Sequence, residues 1–211
     1  MIAVLDYGIG NLRSAEKALQ HVGGDAVLTA DVELALGAQG VVLPGVGAFG
    51  RCMEALEASG LDKVVLGAVE AGTPLLGICV GMQMLYEGSD ENPGVAGLGV
   101  LPGILRRLPE GVKRPQMQWN LLEPVVGSPG AAWGEAGLLD GLGPRPWVYF
   151  VHSYAAPMSH DVVATCDYGG PIVAAVVRGG VWATQFHPEK SGPVGLRLLA
   201  NFAHRCAAVT P

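Results

Sequence analysis

Short, almost continuous apolar runs alternate with helix-period segments through the first half of the chain. Ile2 to Leu5, Ala26 to Leu28, Val41 to Leu43 and Leu75 to Ile78 are too short for core helices and lack polar alternation. They predict strands buried on both faces. Between them, Leu12 to Val22, Val32 to Leu36, Phe49 to Leu56 and Leu61 to Ala71 space their apolar residues as helices do. Such alternation predicts an α/β architecture, a mostly parallel central sheet with helices on both faces.

The pattern changes after Gly97. Val100 to Leu105, Gln116 to Asn120, Trp147 to Val151, Val162 to Cys166, Ile172 to Val177 and Val181 to Phe186 are strand-like. Turn signals such as Tyr168-Gly169-Gly170 and Gly179-Gly180 separate several of them, which predicts an antiparallel or mixed extension of the sheet. Gly127 to Pro146, rich in Gly, Ala and Pro, predicts a surface loop, and a helix from about Val194 to Cys206 closes the chain. No repeat or composition break divides it, so one domain over residues 1–211 is expected.

Composition narrows the class. The chain has 211 residues, enough for one sizeable core, and its 50% hydrophobic and 15% charged content excludes a disordered chain. A net charge of −6 without a basic stripe argues against nucleic acid. No apolar run reaches bilayer length, and Met1-Ile2-Ala3-Val4-Leu5-Asp6 is not a signal-peptide pattern. Cys52, Cys79, Cys166 and Cys206 are scattered, as reduced thiols of a cytoplasmic protein would be. Gly8-x-Gly10 opens like a dinucleotide loop, but Arg13 stands where a third glycine is needed, so no cofactor is expected.

One stretch carries chemistry. Gly77-Ile78-Cys79-Val80-Gly81 joins the strand-like Leu75 to Ile78 to the helix-like Met82 to Tyr86. This is the cysteine form of a nucleophile elbow, in which glycines make room for a sharp strand-to-helix turn. A cysteine alone would be a packing residue; the flanking glycines point to a nucleophile at a helix start, where N–H groups favour thiolate. A nucleophile needs a base and an orienting acid. His187-Pro188-Glu189 follows the last strand, and extended backbone would put His187 and Glu189 on one face. His21 and His204 on helices and His160 in a polar turn are expected to be solvated. An acyl-transfer site also needs oxyanion donors. The Val80 N–H is one, and the Val46-Gly47 backbone after the third strand is the candidate for the second. The acidic Glu87 to Glu91 segment is either a solvated turn or a carboxylate source for a substrate ammonium group. Met117 and Trp119 are either core or an exposed partner patch.

Together, Gly77-Ile78-Cys79-Val80-Gly81-Met82-Gln83 and Gln185-Phe186-His187-Pro188-Glu189 resemble the class I glutamine amidotransferases. Within that class, four further motifs resemble the glutaminase subunits of imidazole glycerol phosphate synthase: Asp6 to Ser14, Pro44 to Phe49, Tyr149 to Tyr154 and His187 to Gly192. The resemblance runs over essentially the whole chain. It implies a flavodoxin-like three-layer fold and a Cys79-His187-Glu189 triad that hydrolyses L-glutamine through a thioester. It also implies oxyanion donors at Val80 and Val46-Gly47, and substrate contacts from Gln83, Glu91, Ser153 and Tyr154. The ammonia would pass to a cyclase subunit, a separate (β/α)8-barrel chain in a heterodimer, faced by Asn11, Arg13, Trp119 and Lys190. The products would be imidazole glycerol phosphate and an aminoimidazole carboxamide ribonucleotide, in histidine biosynthesis. The family's usual Pro-His-Met-Gly-Trp-Asn is here Pro115-Gln116-Met117-Gln118-Trp119-Asn120. The Gln at 118 in place of Gly bears on local backbone shape. Competing readings are an amidotransferase subunit of an anthranilate or aminodeoxychorismate synthase, a cysteine peptidase of similar fold, and a non-catalytic binding module.

Overall fold

The computed structural model describes residues 1–125 and 137–208. In the first half, strands β1 (Ile2–Leu5), β2 (Ala26–Thr29), β3 (Gly40–Gly45) and β4 (Leu75–Cys79) alternate with helices α1 (Leu12–His21), α2 (Val32–Leu36), α3 (Phe49–Ser59) and α4 (Asp62–Ala71). Then come α5 (Val80–Met84), β5 (Gly88–Ser89), β6 (Ile104–Arg107), β7 (Gln116–Leu121) and β8 (Glu123–Pro124). The last part holds β9 (Trp147–His152), β10 (Tyr154–Ala155), β11 (Val162–Asp167), β12 (Pro171–Arg178) and β13 (Val181–Thr184). A single 3-10 turn, Pro188–Lys190, leads into α6 (Gly192–Ala207).

Eight strands form one sheet in the order β2-β1-β3-β4-β13-β12-β11-β8. From β2 to β13 neighbours run parallel; β12, β11 and β8 continue the sheet antiparallel. The α/β expectation and its mixed extension hold, with one revision. β7 and β9 form a separate antiparallel ribbon, and β5, β6 and β10 a small third sheet. β1, β3, β4 and β13 are buried along their whole length, as their unbroken apolar runs require. Underneath, α6 packs Phe202 against Trp182, ring centroids 6.1 Å apart, with the Arg205 guanidinium over the same indole.

Several boundaries differ from the sequence expectation. The strand expected over Val100 to Leu105 lies at Ile104–Arg107, and α5 begins at Val80, not Met82. The strand expected to reach Phe186 stops at Thr184. Of the expected surface loop over Gly127 to Pro146, residues 127–136 lie outside the described residues. In the remainder, Leu138, Leu139 and Leu142 are buried, so their side chains belong to the core despite the Gly- and Pro-rich surroundings. Glu87 to Glu91 is no simple solvated turn, because Gly88 and Ser89 are a buried strand.

Candidate active site

β4 passes into α5 without a linker, and Cys79 is both the last strand residue and the helix N-cap. Its φ of 56° and ψ of −112° make it the sole non-glycine residue with positive φ among the described residues. Such a conformation persists only where the surroundings over-determine it. Two glycines show how. A Cβ on Gly81 would overlap the Leu43 carbonyl of β3, and one on Gly77 would stand 3.0 Å from Met82 N and Cα. The elbow is thus pressed backbone to backbone against its neighbours, and the Gly-x-Cys-x-Gly spacing is a packing requirement. α5 has only five residues, so the helix dipole is a small influence. The positive charge available to Cys79 is that of His187.

β4 and β13 are parallel neighbours, with Thr184 level with Ile78, so their C-terminal ends bring Cys79 and His187 together. His187 Nδ1 lies 2.8 Å from Glu189 Oε1, and both side chains are only 1% exposed. The pair does not meet by strand alternation as expected. His187 is extended, but Pro188 opens a 3-10 turn, and that turn swings the carboxylate back under the ring. Asn11 Nδ2 also donates to Glu189 Oε1, at 3.0 Å. Ser191 knits the turn to β9: its hydroxyl donates to the His187 carbonyl at 2.6 Å and accepts the Tyr149 N–H at 3.0 Å. The His187 N–H in turn donates to the Tyr149 carbonyl.

Burial penalises the His187 imidazolium, but hydrogen bonding to Cys79 and Glu189 and their negative charge outweigh it and push His187 up to about 10. Burial likewise disfavours the Glu189 carboxylate, yet His187 and Asn11 hold it below its ordinary value. Although Cys79 and His187 interact, Nε2 is buried and makes no hydrogen bond of ordinary length and angle. The ring is fixed at Nδ1 and open at Nε2, the arrangement a proton shuttle needs.

A cavity of about 250 Å³ is bordered by Cys79, Val80, Val46, Gly47, Gln83, Glu91, Ser153, Tyr154 and His187. Every residue expected to touch substrate or oxyanion therefore lines one cavity; Glu189 stands behind His187. The Val46 carbonyl accepts the Cys52 thiol at 3.3 Å, and the Tyr7 hydroxyl donates to the Pro44 carbonyl at 2.6 Å. Burial raises both donors above their ordinary values, so both stay protonated. Across a trans peptide the C=O and N–H point in opposite directions, so the Gly47 N–H faces away from Cys52. Glu91 has a second duty: its Oε2 accepts the Phe49 N–H at 2.8 Å, while Asn92 accepts that of Gly50, and together they cap α3.

Of the residues expected at a partner surface, Arg13 and Lys190 are exposed. Trp119 is 48% exposed and lies edge-on to Tyr149. Asn11 differs, since its amide is turned inward on Glu189. Cys166 and Cys206 are buried packing residues, as expected. Gln118 lies on an exposed position of β7 without positive φ, so replacing glycine there imposes no backbone strain.

The sequence reading missed a buried polar layer behind the cavity. Gln83 Nε2 donates to the Tyr154 carbonyl at 3.1 Å and to Gln185 Oε1 at 3.0 Å. Gln185 Nε2 lies 3.9 Å from Cys79 Sγ. His152 Nδ1 lies 2.9 Å from the same Tyr154 carbonyl, and burial lowers this histidine to about 4, so the ring is neutral and its Nε2 must accept. The Gln116 amide atom 2.9 Å from that Nε2 is therefore its nitrogen, with its oxygen toward the Cys166 thiol. The available signal was the polar pair Thr184-Gln185 inside the strand-like run from Val181 to Phe186.

Among the described residues, no group of three or more His, Cys, Asp or Glu side chains is placed to hold a metal. No described helix is long and apolar enough to cross a membrane.

Comparison with known proteins adds the lineage. The imidazole glycerol phosphate synthase subunit HisH of Deinococcus radiodurans is 48% identical over 210 residues, covering 98% of this chain and 94% of that protein. The HisH subunit of Methanothermobacter thermautotrophicus is also 48% identical, over 96% of this chain and 97% of its own. A solved glutamine amidotransferase superposes with a TM-score of 0.73 at 24% identity, covering 96% of this chain and 98% of its own. The PurLQS structure from Thermotoga maritima gives 0.69 at 18%, over 96% and 97%; at such identities these two speak for the fold alone. The family profile for glutamine amidotransferase class-I matches residues 3–206, and the chain belongs to that family.

Proposed function

We propose that this chain, as one domain over residues 1–211, is the cytoplasmic glutaminase subunit of an imidazole glycerol phosphate synthase. It hydrolyses the side-chain amide of L-glutamine and supplies ammonia to a separate (β/α)8-barrel cyclase chain in a heterodimer. The observation that carries the reading is the buried His187–Glu189 pair with its free Nε2 beside Cys79 in one cavity. Relatives named as subunits of that synthase, at 42–48% identity over nearly the whole chain, support the choice of synthase.

The Cys79 thiolate attacks the amide carbon, and the carbonyl electrons move onto oxygen. The Val80 N–H and the backbone at Val46-Gly47 receive that charge. As the intermediate collapses the C–N bond breaks, and imidazolium Nε2 gives its proton to the departing nitrogen, releasing ammonia. His187, now neutral, takes a proton from water as the water attacks the thioester; glutamate leaves and the thiolate is restored. Glu189, steadied by Asn11, holds the ring's orientation and stabilises its positive charge. Gln83, Glu91, Ser153 and Tyr154 border the substrate, and Arg13, Trp119 and Lys190 face the cyclase with the loop carrying Asn11.

The test is glutamine hydrolysis by the chain alone and with the cyclase and its nucleotide ligand. Weak activity alone and a clear rise in the complex is expected. No rise with a competent cyclase refutes the choice of synthase, and full activity of Cys79→Ala refutes the nucleophile.

A further inference from the structure

We propose that Gln185 is a positioning residue for the nucleophile: it holds an amide N–H on the Cys79 sulfur, in an orientation dictated by a one-way hydrogen-bond chain from the Tyr154 carbonyl. The inference rests on Cys79 being the nucleophile. A carboxamide can present either end to a neighbour, so a glutamine beside a sulfur has no inherent polarity. Here the polarity is forced. The Tyr154 carbonyl can only accept, so the Gln83 atom 3.1 Å from it is the amide nitrogen. That nitrogen also stands 3.0 Å from Gln185, whose facing atom must be its oxygen. The remaining end of Gln185, 3.9 Å from Cys79 Sγ, is then its N–H.

Both glutamines are out of water, Gln185 0% and Gln83 3% exposed, so an inverted amide would leave like groups facing each other at a cost that selects one arrangement. Apart from the His187 imidazole, Sγ has one other hydrogen-bonding neighbour among the described residues, the Val151 carbonyl at 3.8 Å, which accepts a thiol proton but cannot support a thiolate. Of Gln185 and the Val151 carbonyl, Gln185 is the donor, and it adds an N–H to the sulfur beside the charge of His187. It favours the charged sulfur before attack and fixes its direction toward the cavity. As the C–S bond forms and sulfur loses charge, that interaction weakens. The same chain leaves the Gln83 oxygen as the end available to the cavity, where it can only accept.

The decisive measurement is the pH dependence of Cys79 alkylation by iodoacetamide in the full-length chain, with Cys79→Ala as the blank for the buried thiols. Only thiolate reacts, so the profile reports the charged sulfur directly. Gln185→Met, similar in length and without an N–H, is expected to move the midpoint up by about one pH unit. That is about tenfold slower alkylation at neutral pH. Gln83→Met leaves Gln185 in place but unoriented and is expected to move it the same way by less. In glutamine hydrolysis, Gln185→Met should lower kcat severalfold with KM nearly unchanged. A purely structural glutamine would lower the melting temperature and leave the alkylation midpoint where it was. That unchanged midpoint in Gln185→Met overturns the proposal. Should Gln185→Met not fold, Gln185→Leu is decided by the same profile. Because alkylation needs no glutamine, it tests Gln185 even if glutamine proves not to be the substrate.

Discussion

Removing the Ser191 hydroxyl is expected to loosen the triad although Ser191 lies outside it. In Ser191→Ala the Tyr149 N–H loses its acceptor, and the His187 carbonyl keeps only the Lys190 N–H at 3.0 Å. Ser191 is 1% exposed, so the cavity left by one oxygen gives water little access. A buried N–H left unpaired costs about 1–2 kcal/mol and a carbonyl that keeps one partner about 0.5–1, together about 1.5–3 kcal/mol. For a domain of this size that lowers the melting temperature by about 3–12 °C. Calorimetry measures the shift, and steady-state glutamine hydrolysis in the cyclase complex measures the companion effect. The turn that carries His187 and Glu189 is bolted to β9 through this hydroxyl, so kcat should fall about tenfold or more while KM changes little. A variant melting within about 2 °C of the parent with unchanged kcat would refute the bridge as a support of the site.

Two further outcomes follow from the site's charge and surface. Folding raises His187 from 6.5 to about 10, a contribution complete below pH 6.5 and lost as pH rises through about 10; Glu189, held below 4.5, contributes above that value and loses as pH falls. Glu189→Gln should cut kcat at least about a hundredfold. The parent's stability relative to this variant should peak between about pH 5 and 9 in denaturant titrations; a difference flat across pH would contradict the ion pair. Trp119→Ala should leave stability within about 0.5 kcal/mol while weakening cyclase binding by at least tenfold in titration calorimetry, and unaltered binding would remove Trp119 from the interface.

The elbow was legible in the sequence because its strand, its Gly-x-Cys-x-Gly turn and its helix are contiguous from Leu75 to Tyr86. Only glycines fit where Gly77 and Gly81 meet backbone, and the Leu75 to Ile78 run before them reads as a strand without reference to anything distant. The His187–Glu189 pair was legible as a motif but not as a shape, since extended backbone and a 3-10 turn both bring a carboxylate two residues on within reach. Asn11 beside Glu189 and Gln83 beside Gln185 were illegible, because each contact exists only once the sheet has assembled in the order β1-β3-β4-β13. Leu138, Leu139 and Leu142 failed for the opposite reason: a Gly- and Pro-rich neighbourhood masks a short apolar cluster with no periodicity to announce it.

The backbone at Cys79, with φ of 56°, has a consequence for how such a protein could change over time. The fold does not require a cysteine there; glycine would occupy the same dihedral angles more easily, by roughly 1–3 kcal/mol. A lineage released from making ammonia would be free to exchange the thiol for glycine and so relieve that backbone strain. A cysteine kept at this position is kept for what its sulfur does, since the backbone angles by themselves favour glycine.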